Sequence, residues 1–240
     1  MVELSLSLVF IGILSITAVL IINNTVLAYQ RGVVLNQVNT VGMDLVDDMR
    51  TAIQGSPIVK EDDVAYVSFV HEGDVEINGS VNSSVPLYGG LCTGKYTYVW
   101  KSGYLTDADN MVKVNGNKEF RLAKIKDDKR EICADYMGMN DNERAAANFA
   151  EDKNYEELLA GESGLVLYDL HTSEPAVNAA TRTAYYSVAF ILGTKDGGAN
   201  IMANGDYCVP PEGANSSFNY CAINKFNFAA QAGGINNGEN

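Results

Sequence analysis

The sequence predicts an α+β fold: a long amino-terminal α-helix, apolar in its first half, packed on the antiparallel β-sheet of a head domain. Three observations predict it. Leu4 to Ile22 run without a charged residue. Beyond Gln30, apolar residues recur at spacings of four and three, the period of one helix face. After Ser56 the pattern changes to short runs rich in β-branched and aromatic residues, separated by turn-forming residues. The organisation is therefore a helix over 1–54, with an apolar half at 1–30 and an amphipathic half at 31–54, followed by an α+β head over 55–240.

The first stretch, "VELSLSLVFIGILSITAVLII", is long enough at 1.5 Å per residue to cross the roughly 30 Å hydrocarbon core of a bilayer. A cleaved secretory signal would have a basic start, a shorter apolar run and small residues at its end. Here Glu3 stands at the head and "NNT" with bulky neighbours follows, so a removed signal peptide is not expected. No basic residue precedes the run and Arg31 follows it, which places the head in the cytoplasm unless a basic leader has been cut away.

The second half carries Val34, Val38, Val41, Leu45, Met49 and Ala52 on one stripe, with Asn36, Asn39, Asp44, Asp47, Asp48 and Thr51 off it. Gly55 and Pro57 then supply the stop, ending the helix near Gln54. The first half should project and the second should lie along the head.

Short β-rich runs are expected at Val64–Val70, Tyr96–Trp100, Met111–Val114, Glu119–Ile125, Gly164–Leu170 and Thr183–Leu192, with a tight turn at "NGN", 115–117. A helix is expected over Asp141–Leu159, with Asp141 as N-cap and Gly161 as stop. "GSVNSSVP" at 79–86 reads as a surface loop and the residues after Phe228 as a loose tail. Tyr185 and Tyr186 read as cross-strand packing.

Composition bounds the function. The 240 residues are 47% hydrophobic and 20% charged, with net charge −13 and pI near 4.5. No nucleic-acid partner is expected of so acidic a chain, because counterion release needs clustered Lys and Arg. Its densest basic stretch, Lys124 to Arg130, is diluted by Asp127 and Asp128 and reads as a solvated mixed-charge face. No catalytic residue, metal site or cofactor is predicted. His171 lies near Asp169, but no nucleophile elbow, phosphate loop or dinucleotide glycine pattern occurs, and "GESG" at 161–164 has the wrong spacing. "DADN" at 107–110 begins like a calcium loop, yet Met111 takes a ligand position. Asn78, Asn82 and Asn215 stand in glycosylation sequons and read as plain loop asparagines.

The four cysteines, Cys92, Cys133, Cys208 and Cys221, all lie in the head without a C-x-x-C pair, which favours disulfides in an exported domain over zinc. Of three pairings, Cys208 with Cys221 and Cys92 with Cys133 is favoured, because the first closes a short loop holding Pro210 and Pro211.

"VELSLSLVFIGIL", with "AYQ" further on, resembles the amino terminus of the type IV pilin and pseudopilin family, in which a glutamate and a run of aliphatics open a long helix. The interval from Glu3 to Gly12 agrees with the family's motif. Glu3 stands nearer the amino terminus than the family's glutamate, which implies that Met1 is the mature end or that the numbering omits residues after a leader cut. Leu20 occupies the place of the family's helix-loosening proline, and "AYQ" arrives about two turns late.

The resemblance implies a filament subunit for surface attachment or motility, assembled as a helical homo-oligomer. Before assembly it would be a single-pass protein of the inner or cytoplasmic membrane, handled by a prepilin peptidase and the pilus assembly machinery. It would end in an extracellular pilus on the cell surface. The assembly residues would be Met1, Glu3 and Gly12, with Glu3 pairing the free α-ammonium of a neighbouring subunit; Gly12 and Asn23–Thr25 are candidate points of helix loosening. The loop at 208–221 resembles the disulfide-bounded carboxy-terminal region of pilins. The alternative within the family is a minor pilin or pseudopilin acting at a filament tip in adhesion, secretion or DNA uptake.

Overall fold

The computed structural model describes residues 2–56, 68–77, 80–105, 113–117, 120–140, 143, 148–149, 155–159, 164–173, 176–178, 180, 183–195, 208 and 221–233. The long helix α1, Val2–Gln54, is unbroken through Gly12 and Asn23–Thr25. It closes where expected: Gly55 N–H donates to the Thr51 carbonyl at 2.9 Å, and Ser56 follows in a bend. Among the described residues, it is the second half that packs on the core. Val38, Val41, Leu45, Val46, Met49, Ala52 and Ile53 are buried, while Asn36, Asn39, Asp44, Asp47 and Thr51 stay exposed.

The head contains two main antiparallel sheets. The larger runs in the order β1 (Ser68–Ile77), β2 (Ser80–Cys92), β3 (Tyr96–Lys101), β5 (Leu122–Lys126), β7 (Tyr155–Glu157). The smaller runs β11 (Ile223–Ala232), β10 (Thr183–Thr194), β8 (Leu165–Thr172), with β9 (Ala176–Asn178) also on β10. A short parallel pair joins β4 (Lys113–Val114) to β6 (Asn148–Phe149). The two sheets meet at β8: Gly103 N–H donates to Leu167 O at 2.7 Å, and the Ser68 and Thr172 hydroxyls lie 2.7 Å apart.

The inner faces of both sheets close on α1. Leu91, Tyr98, Trp100 and Leu122 from one sheet, and Leu167, Phe190, Phe226 and Phe228 from the other, form one core with the helix stripe. A second core on the opposite face of the larger sheet holds Tyr88, Val99, Ala123 and Ile125, covered by Ile132 and Tyr136 of helix α2 (Glu131–Gly138).

Several local expectations are corrected. The helix expected over 141–159 does not run through its described part: Glu143 is helical, tied to Asn140 by reciprocal side-chain bonds, but Asn148–Phe149 and Tyr155–Glu157 are strands. The reason is tertiary, since β7 completes the larger sheet beside β5 and the Glu157 carboxylate accepts the amides of Arg121 and Leu122 at 3.0 and 3.1 Å. The expected loop at 79–86 belongs mostly to strand β2, which continues to Cys92 and absorbs its irregularity in register shifts opposite β1. The expected loose end after Phe228 is strand β11 as far as Ala232. The 115–117 turn is present, with Asn115 and Gly116 at φ 48° and 74° and an antiparallel bridge from Val114 to Asn117, but the strand partner of β4 is β6 and not β5. The calcium-like stretch at 107–110 and the sequons at Asn78 and Asn215 lie outside the described residues.

Candidate functional site

Two features separate this chain from an ordinary α+β domain: an apolar half-helix whose described side chains stand exposed, and the seat that holds the other half. In the first, Leu6, Phe10, Ile16 and Ile21 are each more than 60% exposed, and large apolar side chains point out on every side of the helix. Burying each such side chain is worth about 1.5–3 kcal/mol, so the segment is driven to find an apolar environment. Its hydroxyls do not oppose that. Ser15 and Thr25 donate to the carbonyls of Ile11 and Ile21 at 2.8 Å, and Thr17 donates to Leu14 at 2.9 Å. With these groups satisfied inside the helix, entry into hydrocarbon costs little for them. α1 is long and apolar enough over this part to cross a membrane.

Of the assembly residues expected from the sequence, Met1 lies outside the described residues. Glu3 lies in the first turn of α1, and only its backbone is described. Gly12 is helical, and a Cβ placed there would meet nothing within 4 Å, so a small-residue notch opens outward at that point.

The seat is built by residues that sequence reading passed over. Gly42 faces the Phe226 ring, which fills the space a side chain would need; that ring stacks on Phe190 with centroids 5.0 Å apart. A glycine inside an otherwise strong helical pattern, with no capping role, was the available signal. On the flank of α1, Asp48 accepts Tyr98 Oη–H at 2.9 Å and Lys124 Nζ at 2.5 Å, and Lys124 also sits 4.5 Å above the Tyr96 ring. Burial, then the facing Asp48 carboxylate, push the Tyr98 hydroxyl well above its ordinary pKa, so it acts as a proton donor at any physiological pH. Arg50 crosses the Phe228 ring at 5.5 Å, and at the helix end the Ser56 hydroxyl donates to Ala52 O and accepts Gly94 N–H.

The stretch Lys124 to Arg130 is not a uniformly solvated face. Lys124 and Lys126 lie on the same face of β5, but Lys124 meets Asp48 of α1, while Lys126, at the end of the strand, pairs with Asp128 at the surface at 3.0 Å. Asp127 is buried and organises α2: its carboxylate accepts Thr97 Oγ1 and Cys133 N–H at 2.9 Å and Ile132 N–H at 3.3 Å. That places Cys133 against Cys92, with Cα atoms 5.8 Å apart, and the second disulfide joins Cys208 to Cys221. These are the two pairs favoured from the sequence.

Glu157 is a half-buried acid on β7. Burial raises its pKa, opposed in part by the Leu122 and Arg121 amides that it accepts, and its Oε2 has no hydrogen-bond partner among the described residues. Arg121 reaches past it to the carbonyls of Leu165 and Leu159, tying the start of β5 to the start of β8. His171 Nδ1 lies 2.7 Å from Asp169 Oδ2, with the imidazole half-exposed on β8. Among the described residues, no three His, Cys, Asp or Glu side chains gather as metal ligands. No family model, curated protein sequence or solved structure matches this chain.

Proposed function

We propose that this chain is a structural subunit that polymerises through the apolar half of α1 into a filament of the type IV pilus kind, serving attachment or motility. The observation that carries the reading is the division of one continuous helix. Residues of its second half are locked into the head by a buried stripe and the Asp48 contacts, whereas the first half is exposed and apolar all round. Such a helix cannot be left in water, and the rigid seat would hold it at a fixed angle to the head, as repeated packing of identical subunits requires.

In this reading the membrane holds the apolar half until neighbouring copies replace the lipid. Glu3 is then the register latch. A carboxylate in hydrocarbon costs roughly 2.5 kcal/mol or more and is relieved by a cationic partner on the adjoining copy. The disulfide-bonded head faces the exterior.

The test is to shear surface filaments, identify their subunits by intact mass, and repeat with Glu3→Ala. The expected result is that this chain is a major component and that the variant gives sharply reduced filament yield with a normally folded head in the membrane fraction. Normal yield in the variant would sink the latch. Absence of the chain from filaments, with its presence in membranes, would replace the proposal with a single-pass surface protein.

A further inference from the structure

β11 is an edge strand, and no described strand pairs along its outer side. Thr194 N–H donates to Ala222 O at 3.0 Å, which sets the parity of the β10–β11 ladder. Asn224, Phe226, Phe228, Ala230 and Ala232 therefore turn their main-chain groups toward β10, and Lys225, Asn227, Ala229 and Gln231 turn theirs away. Of these outward groups, Lys225 N–H is taken by the Asn224 side chain at 2.9 Å. No described residue pairs with the main chain of Asn227, Ala229 or Gln231, and all three side chains are exposed.

The other edges are blunted in the ways that natural sheets use against unwanted pairing. β1 slips register twice and exposes Glu72 and Asp74, while β7 and β9 are three residues long. β11 instead pairs with β10 through ten consecutive residues without a shift, and contains neither a proline nor a carboxylate. A long, straight, unprotected edge is a template for another strand.

We propose that the β11 edge is a docking site for β11 of a second copy of this chain, paired antiparallel about a two-fold axis at Phe228. Charge and register select that occupant. Copies carrying net charge −13 repel one another over most of their surface, but no acid lies along this strand. With the axis at Phe228, Lys225 faces Gln231 of the other copy and Asn227 faces Ala229, so the lysines do not oppose each other. The same Lys225 disfavours a basic peptide as the added strand. Because a two-fold contact closes on itself, it cannot extend a polar filament; it joins two chains, or two filaments, side by side. The inference does not rest on the filament reading.

Ala229→Pro tests it cleanly, since that residue's N–H points away from β10 and its loss leaves the β10–β11 ladder intact. Ala229→Lys is the second variant, placing a cation near the pairing axis. Full-length chains in detergent micelles are compared by sedimentation at several concentrations, with near-ultraviolet circular dichroism as the folding control. The expected result is a wild-type dimer weakened at least tenfold in both variants at unchanged fold, and an Asn227→Cys/Ala229→Cys variant that oxidises to a covalent dimer. A wild type that stays monomeric, which would mean the edge is closed within the chain, overturns the proposal. So does a dimer indifferent to a correctly folded Ala229→Lys, which would place the contact on the apolar helix.

Discussion

Gly42 shows how one missing side chain seats a helix. Alanine there would gain about 1 kcal/mol of helix propensity, but its methyl group would overlap the Phe226 ring, which the stacked Phe190 prevents from retreating. Overpacking of this kind costs typically 1–3 kcal/mol, so the clash wins. Gly42→Ala is expected to lower the stability of the head by about 1–2 kcal/mol in urea unfolding. The same change made on a Phe226→Ala background should cost nothing further, and additive losses would show that the ring is not the obstacle. Glu157 makes a separate prediction through pH. Its folded pKa is raised, so between the ordinary carboxylate value and the raised one the folded chain keeps a proton that the unfolded chain has lost. Stability contributed by this group therefore falls as pH rises through that window and is constant above it. Glu157→Gln keeps an oxygen for the Arg121 and Leu122 amides but has no proton to lose, so its thermal midpoint should fall less than wild type's as pH is raised through the window. Parallel curves for the two proteins would remove Glu157 as the source.

Elements differ in how far their local sequence decides them. The second half of α1 was legible because its stripe, Val38 to Ala52, is the buried face itself, and β3, β8 and β10 were legible from their own β-rich runs. β7 was not: "NYEELL" is good helix sequence, and what makes it a strand is the free edge of β5 and the amides that Glu157 accepts, neither of which is visible locally. α2 was missed for the complementary reason, being only eight residues long and owing its first turn to Asp127, a side chain outside it. Its attachment to the sheet also depends on a covalent tie. Cys92 and Cys133 are 41 residues apart and Cys208 and Cys221 are 13 apart, so loop-closure entropy assigns about 4 kcal/mol to the first bond and about 3 kcal/mol to the second. Removing the first pair as Cys92→Ala/Cys133→Ala should therefore lower the thermal midpoint more than Cys208→Ala/Cys221→Ala does. The reverse order would mean that the Asp127 contacts hold α2 in place without the disulfide.

At the scale of the whole molecule, the two halves of α1 obey different solvents. The boundary falls near Val34, the first stripe residue packed against the core; before it, apart from a half-buried Leu27, the described side chains from Leu6 to Val33 are exposed. Among the described residues, the helix stripe, the Asp48 pair and the Ser56 clasp, which hold α1 to the head, lie beyond that boundary. The apolar half thus adds nothing to the described core of the head, and its side chains stand exposed. A variant beginning at Gly32 is expected to be soluble without detergent and to unfold within about 2 °C of the full chain measured in micelles, since a loss of even 1 kcal/mol would shift a domain of this size by about 2–4 °C. The Tyr98 hydroxyl and Lys124 should remain engaged with Asp48, so Asp48→Ala should destabilise the truncated and full-length chains equally. If truncation alone lowered the midpoint by 10 °C, the projecting half would be a structural part of the head, and the division of labour along α1 would fail with it.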